Sequence, residues 1–138
     1  MTNWKPSKCA TKKNVCMVLI DSSLWIPSLR RAGSPKDLAE VADRIRSGEA
    51  AWCAAVRLEL WAGVRDDRER KTLGEFSAVV TDLPISGEVW EKAIWFADKG
   101  RRKGYTIPYP DLLIFACAQA HRAELLHRDQ HFQLLAAL

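Results

Sequence analysis

Asp21, Glu59, Asp111 and Asp129 are the residues with which this sequence could do chemistry. Asp21 ends the apolar run Val15–Ile20, which reads as a strand buried on both faces, and open α/β sheets place ligand sites at such carboxyl ends. Glu59 has Ala55, Val56, Ala62 and Gly63 as its helical neighbours, a small apolar face where an unpartnered carboxylate is costly. Asp111 follows Pro108-Tyr109-Pro110 and opens an almost wholly apolar helix, and Asp129 follows the short strand Glu124–His127. Each has a plain structural explanation: Asp21 and Asp129 could cap helices, and Asp111 suits the dipole of a first turn. Together, two acids at strand ends and two on helices that can pack beside them would repel strongly unless a cation lay between them. Oxygen ligands of this kind suit Mg²⁺ or Mn²⁺ and point to metal-assisted hydrolysis by direct attack of water. No serine–histidine or cysteine–histidine pair suggests a covalent intermediate.

The elements that must position these acids follow from periodicity and punctuation. A helix is expected over Ser22–Arg31, closed by Gly33, and a second from Ser34-Pro35, closed by Gly48. Ala50–Ala54 is a short strand candidate, with helices over Val56–Arg65 and from about Arg68 to Val80. Asp82–Ile85 is at most an edge strand, and a long helix opens at Ser86-Gly87. Asp111–Ala120 is helical, Glu124–His127 is the last strand, and a short helix follows Asp129. Strands separated by helices predict an α/β/α sandwich with a short, mainly parallel central sheet.

Composition agrees with one packed domain. At 138 residues, 48% apolar with six tryptophans, the chain can bury a core without disulfides or a structural metal. No apolar run reaches the roughly 18 residues of a membrane span, and the N-terminus lacks a signal-peptide pattern, so a cytoplasmic protein is expected. Cys16, Cys53 and Cys117 lie in apolar context as core thiols, and no cysteine has zinc-site spacing. The net charge of +4 is compatible with a polyanionic partner.

Four stretches in order carry a family resemblance: Val18–Ile26, Glu59–Gly63, Ile107–Ile114 and Leu125–Phe132. With them the chain resembles the PIN-domain ribonucleases, most closely the VapC toxins of bacterial toxin–antitoxin pairs. Lys5, Lys8, Lys12 and Lys13 make 1–14 read as a basic tail ahead of a PIN-like nuclease domain at 15–138, and the resemblance implies a Mg²⁺-dependent endoribonuclease, with Mn²⁺ as a substitute. It implies catalytic Asp21, Ser22, Glu59, Asp111 and Asp129, with Asp21, Asp111 and Asp129 on the metal. It further implies a tRNA or ribosomal RNA substrate, a VapB-like antitoxin as partner, and a homodimer. In the last motif His127 and His131 stand where the family often has Thr and a second Asp, leaving Asp129 the one acid of that loop.

Lys99, Arg101, Arg102 and Lys103 form the densest basic run and the candidate RNA contact, with a solvated helix end as the plain reading. Trp25 and Trp61 are expected in the core, with an antitoxin groove or base stacking as alternatives. Two rivals remain. One is a non-catalytic partner-binding α/β module whose acids are caps. The other is a phosphatase with Asp21 as nucleophile, which Ser23 disfavours by standing where such enzymes place a second Asp.

Overall fold

The computed structural model describes residues 16–138. The expected basic tail, 1–14, lies outside them. Four strands, β1 (Val18–Ile20), β2 (Ala50–Trp52), β3 (Thr81–Asp82) and β4 (Glu124–Leu126), form a wholly parallel sheet in the order β3-β2-β1-β4. Seven helices accompany it among the described residues: α1 (Ser22–Arg30), α2 (Pro35–Arg46), α3 (Ala54–Ala62), α4 (Asp67–Val79), α5 (Gly87–Arg102), α6 (Tyr109–Ala120) and α7 (Gln130–Ala136). None is long and apolar enough to cross a membrane.

β1 is central, and its three residues are at most 1% exposed, which is why its sequence is continuously apolar rather than alternating. The strand is shorter than its apolar run because both neighbours begin opposite Val18, which pairs with Ala50 and Glu124. Cys16 and Met17 project beyond them and are half-buried, and Cys16 is disulfide-bonded rather than a core thiol. Cys53 and Cys117 are buried free thiols.

The remaining boundaries have local causes. β3 starts at Thr81, and after Leu83 N donates to Trp52 O at 2.8 Å the ladder meets Pro84, which has no N–H to give. α1 ends one residue early because Arg31 itself adopts the left-handed cap, at φ 51°. α3 starts at Ala54 behind an extended Cys53, and α4 is capped by Asp66, whose Oδ1 accepts from Glu69 N at 2.8 Å.

Trp25 is a core residue, its indole N–H donating to Ile20 O at 2.8 Å and its ring 5.4 Å from Trp52 and 5.3 Å from Phe76. Trp61 is not in the core. It is 43% exposed on α3, three residues from the exposed Leu58. α5 and α6 form an antiparallel hairpin fixed by Phe96 edge-on to Phe115 at 5.0 Å, so the end of α5 lies with the start of α6 at the carboxyl side of the sheet.

Candidate active site

The carboxyl end of β1 delivers Asp21, only 2% exposed, into the first turn of α1. Asp21 Oδ2 caps the helix, accepting from Ser23 N at 3.1 Å, while Oδ1 is buried without a hydrogen-bond partner among the described residues. Capping therefore explains one oxygen and leaves the other open to a further ligand. Ser23 Oγ accepts from Arg128 N at 3.0 Å, tying the start of α1 to the loop after β4.

Ser22 Oγ donates to Glu59 Oε1 at 3.4 Å across the gap to α3. Burial, reinforced by the charges of Asp21, Asp111 and Asp129, pushes the Glu59 carboxyl up to about 7. Asp111, in the first turn of α6 and 7% exposed, is pushed up to about 6 by burial and by Asp129 and Asp21, against the opposing pull of His131. All four acids thus lie within electrostatic reach of one another, and the structure brings the five expected residues, Ser22 included, to one place.

Asp129 caps α7, its Oδ1 accepting from His131 N at 2.9 Å. His127 supports that turn, accepting from Asp129 N through Nδ1 at 3.2 Å with its ring 4.9 Å from Phe132. Burial lowers the His127 pKa, against the raising charges of Asp21 and Asp129, in keeping with the neutral ring that this bond requires.

His131, which the sequence marks only as standing where the family often has a second Asp, is drawn into the site. Its Nδ1 is 2.9 Å from Asp111 Oδ2 and 3.0 Å from Asp129 Oδ1, yet forms no aligned hydrogen bond with either. A histidine in a first helical turn is disfavoured by the backbone dipole if charged, and that oddity is the signal the sequence did carry. Ligand atoms of Asp111, Asp129 and His131 lie within 4.8 Å of one another, and Asp21 stands beside this group rather than within it. Clustered oxygen donors, a buried carboxylate oxygen without a partner and an unaligned nitrogen fit a divalent cation.

The basic run does not join this cluster. Arg102 pairs with Asp98 at 3.1 Å, Arg101 donates to Thr106 Oγ1 at 3.2 Å, and Lys99 Nζ lies 4.6 Å from the Trp95 ring centre. Lys103 caps α5 and is exposed.

A family model for the PIN domain matches residues 18–138. Ribonuclease VapC11 of Mycobacterium tuberculosis (strain ATCC 25618 / H37Rv) is 32% identical over 128 residues, which are 88% of this chain and 93% of that protein. VapBC2 from Rickettsia felis, solved bound to a DNA fragment from its promoter, matches with a TM-score of 0.70 at 17% identity, over 83% of this chain and 88% of that one. VapBC-1 from nontypeable Haemophilus influenzae matches with a TM-score of 0.69 at 18% identity, over 88% and 94%. The chain belongs to the PIN-domain family. Within that family its sequence groups it with VapC.

Proposed function

We propose that this chain is the toxin of a toxin–antitoxin pair, a metal-dependent endoribonuclease that hydrolyses structured RNA. The observation that carries the reading is the convergence of Asp21, Glu59, Asp111 and Asp129 at the carboxyl end of a parallel sheet, with Asp21 Oδ1 buried and unpartnered. Its relatives are named ribonucleases, which supports the substrate class.

Asp111 and Asp129, with Asp21 beside them, would hold the cation, Mg²⁺ or Mn²⁺. Bound there, it would supply polarisation of the scissile phosphate and a more acidic water. Glu59, whose carboxyl is pushed up by burial and by the neighbouring acids in the metal-free protein, would accept a proton from the attacking water, with Ser22 Oγ donating to its Oε1. Lys99, Arg101, Arg102 and Lys103, at the same end of the fold as Asp111, offer an electrostatic path for RNA. Leu58 and Trp61, exposed on the helix that carries Glu59, are the apolar surface for a VapB-like antitoxin. Trp90, Ile94 and Trp95 on α5 are the corresponding surface for a homodimer, and a cytoplasmic setting suits an RNA target.

The test is cleavage of total tRNA and ribosomal RNA by purified protein with Mg²⁺, beside an EDTA control and the Asp21→Asn variant. Discrete fragments are expected from the wild type only. Intact RNA with both Mg²⁺ and Mn²⁺, and no change in melting temperature on adding either ion, would return the acids to capping and favour a binding module.

A further inference from the structure

His131 is placed too firmly to be an incidental loop residue. Its backbone N–H bonds Asp129 Oδ1, and its neighbour Phe132, 1% exposed, anchors the first turn of α7 in the core. The ring therefore presents Nδ1 to Asp111 and Asp129 with little freedom to leave. The other histidine of the loop is spoken for, since His127 Nδ1 already accepts from Asp129 N.

The spacing has a chemical meaning. Adjacent donors on an octahedral ion with bonds of about 2.1 Å are separated by about 3 Å. Nδ1 lies 2.9 and 3.0 Å from its two carboxylate oxygens, without an aligned hydrogen bond to either. Nearby, the 2% exposed Asp21 has an oxygen with no partner among the described residues, a second sign that something is held here. An imidazole nitrogen is a softer donor than a carboxylate oxygen and suits first-row transition ions, whereas Mg²⁺ favours oxygen and keeps its waters.

We propose that His131 is a nitrogen ligand in a mixed Asp111–Asp129–His131 cation site, and that it biases this chain towards Mn²⁺ over Mg²⁺. The inference rests on the metal site of the proposed nuclease but concerns which ion that site selects and through which atom.

Two measurements on metal-stripped protein test it. Calorimetric titration with MnCl₂ and MgCl₂ gives the ratio of affinities for the wild type and for His131→Asp, with circular dichroism as a check on folding. Pulsed electron paramagnetic resonance of the Mn²⁺-loaded wild type reads nitrogen coupling to the ion and needs no variant. The expected results are ¹⁴N coupling in the wild type and a Mn²⁺/Mg²⁺ ratio that falls about tenfold in His131→Asp, where the donors are all oxygen. Absence of ¹⁴N coupling, or the same ratio in both proteins, overturns the proposal. RNA cleavage is scored separately. Cleavage without nitrogen coupling removes the ligand role and leaves the nuclease standing, while nitrogen coupling without cleavage does the reverse.

Discussion

At the scale of single residues, Asp21 does two jobs that one substitution can separate. Its Oδ2 caps α1, and its Oδ1 is buried without a partner among the described residues. Asparagine is as good a helix cap as aspartate, so Asp21→Asn keeps the cap while removing a charge that raises Glu59 and Asp111. The metal-free variant is therefore expected to melt no lower than the wild type, whereas Asp21→Ala should lose about 1 kcal/mol with the cap. A scan in which Asp21→Asn melts as low as Asp21→Ala would show that the charge itself holds the structure together. The same division of labour explains why aspartates at helix starts look bland in a sequence: the cap is real, and it uses only half of the carboxylate.

At the scale of elements, Glu69 joins three of them. It sits in the first turn of α4, 1% exposed, with Arg30 of α1 at 3.3 Å and Arg65, from the turn after α3, at 3.2 Å. Burial alone would raise its pKa, but the Arg65 and Arg30 guanidinium groups outweigh burial and hold the carboxyl below its usual range. A depressed carboxyl stabilises the fold above its unfolded value of 4.5, and that contribution disappears as pH falls through the folded value. Glu69→Gln should therefore be less stable than the wild type in urea near neutral pH, and the gap should close in acid. A gap independent of pH would mean that packing, not charge, holds these helices. The sequence announced α6 by its almost wholly apolar run after Asp111 and β1 by its apolar run, because each is a local pattern. β3 was legible only as an edge fragment, since both its residues are exposed and its ladder partners, Ala51 and Trp52, lie far back in the chain. Trp25 and Trp61 looked alike in sequence because burial is decided by what packs on top, and nothing packs over Trp61 enough to cover it. His131 could be singled out in the sequence but not given a role, as its meaning depends on Asp111 arriving from another helix.

At the scale of the whole molecule, the crowding of the acids makes folding of the metal-free protein favour the protonated carboxyls. Glu59 at about 7 and Asp111 at about 6 both lie above their ordinary values of 4.5 and 3.8, so the native state binds more protons than the unfolded chain between those limits. The stability of the metal-free protein should consequently fall as pH rises through that window, from about 4 to about 7, and remain reduced above it. Mn²⁺ should restore the melting temperature chiefly at the upper end, and a profile that is flat both with and without the ion would contradict the repulsion described here. Assembly of that repulsive cluster also has a schedule. Ser23 Oγ and Arg128 N, 3.0 Å apart in the fold, are 105 residues apart along the chain, and β1 cannot pair with β4 until the latter exists. During synthesis the Asp21 half of the centre therefore leaves the ribosome long before the Asp129 half. A growing chain that has not yet delivered Asp129 holds Asp21 and Glu59 without the acid that completes the cluster.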